Sequence, residues 1–214
     1  MPIRSPIRAL RCGLLLLPAE FGLPIAPGTL QNLKSCPIDD RTWNDESRSL
    51  FLRLLASGPA LLQVWEEIDF VDIPGRLIPE WLAIRNRPSA SAAHRYTIDR
   101  HSVEVVTRLG RETPRGNRYD DRHYQALLLA GILHDVGKRP GVADHAAEGA
   151  RHASMVLKRM GFDRDIIWWV TLLVREHLTL SEFATGQNPN DPNVGDELAS
   201  RLDHDRCCLT CCSI

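Results

Sequence analysis

A His-Asp pair stands at a point in the chain where ionisable side chains are costly. His134 and Asp135 directly follow an apolar run, residues 127–133, and Gly137 and Lys138 come soon after them. At the end of a buried helix, such side chains need compensation for their lost hydration. A divalent metal ion supplies it, because imidazole nitrogen and carboxylate oxygen are both good metal ligands. The pair alone also fits a His and an Asp that merely end a helix at the surface.

Three further histidines lie where apolar helices are predicted to begin or end. His101 stands 33 residues before His134, His145 stands 11 residues after it, and His177 ends the apolar segment 166–177. Singly, each fits a histidine that faces solvent or is hydrogen-bonded in the core. Together, four histidines at the ends of successive apolar helices indicate a site assembled inside a helical bundle.

The other histidines near these segments fit the arrangement less well. They are His123, His152 and His204. His152 shares an arginine-rich stretch of its helix with Arg151 and Arg159. We therefore predict that His152 is solvated and takes no part in the site.

Apolar residues recur with helical spacing along most of the chain after Asn44, and no stretch alternates convincingly as a strand does. Asn44 or Asp45 can cap the first long helix, and Gly137 can end a later one in a left-handed conformation. Residues 1–44 are rich in proline and read as a loose lead-in. The predicted helical segments are 27–33, those starting near 44 and 59, 98–109, 124–133, 145–160, 166–177 and 194–202. We therefore predict an all-α fold, a helical bundle.

The composition excludes several classes of protein. The 214 residues carry 26 Lys plus Arg against 27 Asp plus Glu, and this near-neutral balance argues against a protein that coats nucleic acid. No apolar run approaches the roughly 20 residues of a membrane span. An N-terminal segment resembles a signal peptide, but Pro18 and Glu20 interrupt its apolar run. No cysteine lies between residues 37 and 206, which fits a reducing compartment, so we predict a cytoplasmic location.

Five ordered segments carry a family resemblance. They are HRYTIDRH (94–101), LLLAGILHDVGK (127–138), DHAAEGA (144–150), VREHL (174–178) and the Asp-Pro break at 191–192. The His and His-Asp positions resemble the HD phosphohydrolase superfamily. The five segments together resemble the HD domain of the bifunctional PII uridylyltransferase/uridylyl-removing enzymes. The resemblance extends from about residue 61 to residue 202, and more weakly back to about residue 24.

The resemblance implies metal-dependent hydrolysis of a phosphodiester. In this family the positions of His101, His134 and Asp135 bind a divalent metal, usually Mg²⁺ or Mn²⁺. Such an ion lowers the pKa of a bound water and polarises a phosphoryl oxygen. The family's HD domain removes UMP, or AMP, from a tyrosine of the PII signal protein, which makes nucleotidylated PII the implied partner in nitrogen regulation.

The remaining site residues follow from the same resemblance. Lys138 is placed to stabilise phosphate charge. His145 and His177 are expected to contact the phosphate or a second metal, and Arg175 assists them. In the family, a separate nucleotidyltransferase domain precedes the HD domain, and ACT domains that sense glutamine follow it. Nothing in this sequence resembles either of them.

The C-terminal residues depart from the family pattern. The superfamily completes its metal site with an Asp on a late helix, and here only Asp196, Asp203 and Asp205 are available as substitutes, none of them in the right motif. Four cysteines then fall within the last eight residues. We expect a fragment with lead-in helices in 1–60, an HD domain in 61–202 and an aberrant Cys-rich tail in 203–214. We expect the tail to come from a shifted reading frame or a disrupted gene. A terminus without function is favoured over a zinc site, because adjacent cysteines strain a tetrahedral site.

The departures keep two alternatives to this enzyme open. One is a catalytically impaired HD remnant, or a regulatory helical module, which the missing late Asp favours. The other is an HD hydrolase of a free nucleotide. A cyclic-dinucleotide hydrolase is disfavoured, because the paired histidines and Gly-Tyr-Pro segment of that class are absent from the sequence.

Overall fold

The computed structural model describes residues 16–35, 43–89, 95–112, 121–186 and 193–197. The helices in chain order are α1 (Leu16–Phe21), α2 (Pro27–Ser35), α3 (Asp45–Leu55), α4 (Pro59–Phe70), α5 (Ile73–Leu77), α6 (Ile98–Glu112), α7 (Arg122–Leu133), α8 (His145–Met160), α9 (Arg164–Arg175) and α10 (Thr179–Gly186). A 3-10 helix spans Pro79–Ala83, and residues 193–197 are helical. Within the described ranges there is no strand, only one isolated bridge between Pro88 and Thr97. The predicted all-α class is confirmed.

Four helices, α6 to α9, form the part of the bundle that positions the His-Asp pair. Helix α9 packs against both α8 and α7, α7 packs against α6, and α6 packs against α4. Helix α7 is buried on most sides, because its apolar run from Leu128 to Leu133 faces neighbours all round. The end of α7 therefore lies inside the protein, and so do the two ionisable residues that follow it.

Side-chain caps fix where these helices begin. Asp121 accepts hydrogen bonds from the backbone of the first turn of α7, Asp144 does the same for α8, and Asp163 for α9. Asn44 caps α3, as one of the two predicted alternatives had it. Each cap satisfies backbone N–H groups that have no partner inside the helix. Helix α8, which starts at His145, is thereby held in register.

Two expectations about local structure were wrong. Residues 16–21 form a helix where a loose lead-in was expected. This helix, α1, packs on α4 and buries Ala19, and such packing stabilises a helix that is too short to be stable alone. Gly137 is not left-handed: the glycines with positive φ among the described residues are 22, 58, 141 and 161. Its importance lies in close packing, described below.

Two other expectations concern membrane-spanning helices and the C-terminal residues. None of the described helices is long and apolar enough to cross a lipid bilayer. The predictions for the cysteine-rich tail and for Asp203 and Asp205 lie outside the described residues.

Candidate functional site

The four histidines of the predicted site converge although they come from four helices. His101 lies in the first turns of α6, His134 follows α7, His145 begins α8 and His177 follows α9. The ring centroids of His101 and His134 are 5.2 Å apart, those of His134 and His177 are 5.2 Å apart, and those of His145 and His177 are 5.6 Å apart. The bundle therefore brings together residues that are 76 positions apart in sequence, His101 and His177.

Backbone carbonyls fix the orientation of two of these rings. Nδ1 of His134 lies 2.9 Å from the carbonyl oxygen of Gly131, and Nδ1 of His177 lies 2.7 Å from that of Val174. A carbonyl oxygen only accepts, so Nδ1 must carry the proton in both rings. In the tautomer that this hydrogen bond selects, Nε2 presents a lone pair, as in metal-binding histidines.

Both lone pairs face the carboxylate of Asp135. Nε2 of His134 lies 3.5 Å from Asp135 Oδ2, and Nε2 of His177 lies 3.7 Å from Asp135 Oδ1. The Asp135 side chain is only 2% exposed. Lone pairs and a buried carboxylate directed at one another repel, unless a cation lies among them.

Protonation does not supply that cation at His134. Burial is the largest cause that lowers the pKa of His134, from 6.5 to about 4, and it outweighs the attraction of Asp135. Burial, followed by the positive charge of Lys138, also lowers the pKa of His145. Burial by itself raises the pKa of Asp135, but His134 and Lys138 together lower it below its ordinary value. The His134 and His145 rings thus stay neutral beside an ionised Asp135 carboxylate at neutral pH.

Lys138 contributes one positive charge at the edge of the site. Its Nζ lies 3.2 Å from Asp135 Oδ2 and 3.4 Å from Oδ1, and a quarter of its side chain is exposed. The ammonium group therefore touches the buried carboxylate on one side and solvent on the other. A phosphate arriving at Asp135 would meet this charge.

The donor set fits a divalent metal ion. His101, His134 and Asp135 offer ligand atoms within 4.8 Å of one another, and so do Asp135, His145 and His177. Nε2 of His145 and Nε2 of His177 are buried and have no hydrogen-bond partner among the described residues. Imidazole nitrogens and a shared carboxylate suit such an ion, and the two trios meet at Asp135.

Two glycines outside the set of predicted site residues allow this convergence. A Cβ atom on Gly137 would lie 2.2 Å from the carbonyl oxygen of His145 and 2.3 Å from the backbone nitrogen of Gly149. A Cβ atom on Gly149 would lie 3.1 Å from the carbonyl oxygen of His134. The turn after α7 therefore packs backbone to backbone on the first turns of α8. Only the Gly137-x₁₁-Gly149 pair in the sequence hinted at this approach.

Arg175, the remaining predicted site residue, lies outside the cluster. It is the last residue of α9, and its side chain is exposed. It lines a cavity of about 290 Å³ together with His145, Asp144 and Glu182. Arg175 thus borders an approach to His145 without contacting Asp135.

The prediction that His152 is solvated was wrong. Its side chain is 9% exposed, and its Nε2 lies 2.9 Å from Glu148 Oε1, one helical turn earlier. The i, i+4 spacing of Glu148 and His152 was the signal in the sequence. His123 is exposed and lies over Trp169, with ring centroids 4.4 Å apart, so it has no part in the cluster.

Comparisons with known proteins agree with this geometry. The family model of the HD domain matches residues 98–205, half of the chain. A bifunctional uridylyltransferase/uridylyl-removing enzyme of Streptomyces coelicolor is 37% identical over 193 residues, 89% of this chain and 22% of the relative. Enzymes with the same name from Mycobacterium tuberculosis and Corynebacterium glutamicum are 35% and 30% identical, over 87% of this chain and 22% and 26% of their own lengths.

The chain aligns with only a part of each of these relatives. The chain spans about a fifth to a quarter of their length. The part of the chain that the family model matches contains all seven predicted site residues, from His101 to His177. The chain therefore belongs to the HD domain family of phosphohydrolases.

Proposed function

We propose that this chain hydrolyses a phosphodiester and removes a nucleotidyl group, UMP or AMP, from the PII signal protein. The relatives are named as uridylyl-removing enzymes, and the 193 residues aligned with one of them include most of the HD match at residues 98–205 of this chain. The observation that carries the proposal is the pair of Nε2 lone pairs, on His134 and His177, that face the buried Asp135 carboxylate. Such an arrangement suits a metal-dependent hydrolase.

His101, His134 and Asp135 would hold the metal ion, Mg²⁺ or Mn²⁺. When bound, such an ion supplies Lewis acidity to a phosphoryl oxygen and increases the acidity of water. The residues themselves contribute preorganisation. The Gly131 carbonyl holds His134 in one tautomer, and burial keeps its ring neutral, so the lone pair is available without a proton having to leave first.

Lys138, His145, His177 and Arg175 would act on the substrate. Lys138 offers its ammonium group to the developing charge on phosphate. The Nε2 atom of His145 is free of protein hydrogen bonds within the described ranges, and the lowered pKa of this ring keeps it unprotonated at neutral pH, so its ring nitrogen is available to the substrate. His177 and His145 both offer a ligand atom near the Asp135 carboxylate. These two rings would therefore contact the phosphate or hold a second ion. Arg175 would bind phosphate at the approach to His145.

Removal of the nucleotide from PII would give this chain a role in nitrogen regulation. The chain would serve as the HD part of a cytoplasmic PII uridylyltransferase/uridylyl-removing enzyme. Its partners would be the nucleotidyltransferase and ACT domains of such an enzyme, together with nucleotidylated PII. The relatives from Streptomyces coelicolor and Mycobacterium tuberculosis are named for both halves of that bifunctional activity.

The test is release of UMP or AMP from PII that carries the nucleotide on its tyrosine. The purified chain is incubated with Mn²⁺ or Mg²⁺, and the released nucleotide is quantified by chromatography. We expect metal-dependent release that His134→Gln abolishes. His123→Gln is the matched control, because His123 is exposed and lies outside the cluster. Thermal unfolding of both variants establishes that they remain folded.

Two outcomes would replace the proposal. If neither modified PII nor bis(p-nitrophenyl) phosphate is hydrolysed faster by the wild-type chain than by Asp135→Ala, the chain is an impaired HD remnant or a regulatory module. If a free nucleotide is hydrolysed and modified PII is not, the chain is a free-nucleotide hydrolase.

A further inference from the structure

A long groove between α8 and α9 lies beside the cluster, and Arg175 is the one described residue lining it that has a role in the chemistry proposed above. Its volume is about 740 Å³. Small side chains of α8, Ala147, Ala150 and Ser154, form one wall, and Ile167 and Trp168 of α9 contribute to the other. The groove is therefore lined largely by apolar and small side chains and extends along both helices.

Positive charge lines this groove. Lys158, Arg164 and Arg175 are exposed there, and no side-chain hydrogen bond or ion pair joins any of the three to the residues that the structure describes. Arg151, the fourth cation, pairs with Glu148. Among the described residues that line the groove, Glu176 is the one that is acidic. In the described part of the groove, three cations whose side chains have no partner lie near a single carboxylate, so this surface is complementary to an acidic ligand.

The groove begins at the candidate site. Arg175 and Glu176 line both this groove and the smaller cavity that contains His145. Because three residues, 161–163, join α8 to α9 and the two helices pack along their lengths, the helices are antiparallel. Lys158 and Arg164 therefore lie at the far end, away from His145.

The spacing of the cations sets the size of the ligand. Arg164 and Arg175 are 11 residues apart on one helix, which corresponds to about 16 Å along its axis. An extended peptide covers that distance with about five residues, at about 3.3 Å per residue. A single nucleotidyl phosphate at the histidine cluster would leave the cations at the far end without a partner. A short acidic stretch of polypeptide would reach all of them.

We infer that this groove binds an acidic, extended segment of the substrate protein, next to the residue that carries the nucleotide. The inference rests on the proposed function for the identity of the substrate. The apolar lining accepts the alternate side chains of the segment, and Lys158 and Arg164 pair with its carboxylates. The groove thereby gives selectivity for a protein substrate, while the phosphodiester itself reacts at the cluster.

The test is a charge reversal at the far end of the groove, Lys158→Glu with Arg164→Glu. A glutamate at the first position of α9 is favoured by the helix dipole, so we expect the fold to persist. The KM for nucleotidylated PII should rise about tenfold at low salt, and turnover of bis(p-nitrophenyl) phosphate should stay unchanged. The matched control is Lys34→Glu with Arg87→Glu, two exposed cations that do not line the groove. An unchanged KM in the groove variant would overturn the inference.

A binding measurement separates this inference from the proposed function. Fluorescence anisotropy of a labelled hexaglutamate peptide reports on the groove even if the chain releases no nucleotide from PII. We expect binding that weakens with salt and is lost in the groove variant but kept in the control. Three results would overturn the inference: no binding, equal binding by both variants, or preferred binding of a labelled hexathymidylate.

Discussion

Gly137 should tolerate no side chain, and Gly137→Ala is the perturbation that tests how the site is built. The new Cβ would meet two backbone atoms, the carbonyl oxygen of His145 at 2.2 Å and the nitrogen of Gly149 at 2.3 Å. Ordinary contact begins at 3.4 Å, so the turn after α7 and the start of α8 must separate by about 1 Å. Neither partner is a flexible side chain that can turn away.

The consequence is both a loss of stability and a loss of activity. Overpacking of this kind costs about 1–3 kcal/mol in free energy of unfolding, with the upper part of that range expected where backbone opposes backbone. A displacement of about 1 Å between His145 and the His134–Asp135 pair should also lower phosphodiesterase turnover by about 100-fold. The two effects are linked because the same contact sets both the packing and the ligand geometry.

Urea unfolding and Mn²⁺-dependent hydrolysis of bis(p-nitrophenyl) phosphate measure these effects. Gly28→Ala is the control, because no atom lies within 4 Å of a Cβ at that position in α2. We expect its unfolding midpoint to be unchanged or slightly higher. If Gly137→Ala unfolds at the wild-type urea concentration and retains full turnover, close backbone packing does not position the site.

Three further predictions concern stability alone. In the chain treated with EDTA, the free energy of unfolding should fall by about 3 kcal/mol as the pH drops from 6.5 to 4. Burial lowers the pKa of His134 to about 4, so over this range the unfolded chain binds a proton that the folded chain does not. Urea titrations at several pH values should show a smaller pH dependence in His134→Gln. Glu80→Gln should lower the unfolding free energy by about 1–2 kcal/mol in the same assay, because Glu80 accepts two hydrogen bonds from Arg159, at 3.0 and 2.7 Å, and is only 10% exposed. Asn44→Ala should cost about 1 kcal/mol, since Asn44 Oδ1 accepts from both the nitrogen and the hydroxyl of Ser47, and a thermal melt of the variant without a lower midpoint would contradict that role.

The sequence was most informative about helices and about where they end. The apolar run before His134 predicted a buried helix, and burial at the end of that helix made the His-Asp pair conspicuous. The motif order then indicated that His101, His145 and His177 belong to the same site. The predicted buried helix is confirmed, because periodicity and burial are recorded in local spacing. The shared function of these histidines stays a prediction.

The features that escaped prediction depend on tertiary contacts. The tautomers of His134 and His177 are fixed by carbonyls whose direction is set by how α7 and α9 end, which spacing does not specify. Gly137 was read as a helix end, but its role depends on α8, which begins several residues later. Helix α1 depends on packing against α4, so its residues carry no periodic signal of sufficient length.

The same limit applies to His152. Its basic neighbours suggested solvent, whereas its burial follows from the packing of α8 and from the hydrogen bond with Glu148. Charged neighbours along a helix do not determine which of its side chains are buried. Burial depends on the helices that pack against it, and those are distant in sequence.

The central claim is that neutral histidine nitrogens and the Asp135 carboxylate form one metal centre. Anomalous diffraction at the manganese absorption edge, from crystals of the whole chain grown with Mn²⁺, tests this most directly. We predict a peak within bonding distance of Nε2 of His134 and of the Asp135 carboxylate, and its loss in Asp135→Asn. A map without a peak at the cluster, from crystals whose solvent holds millimolar Mn²⁺, would contradict the claim.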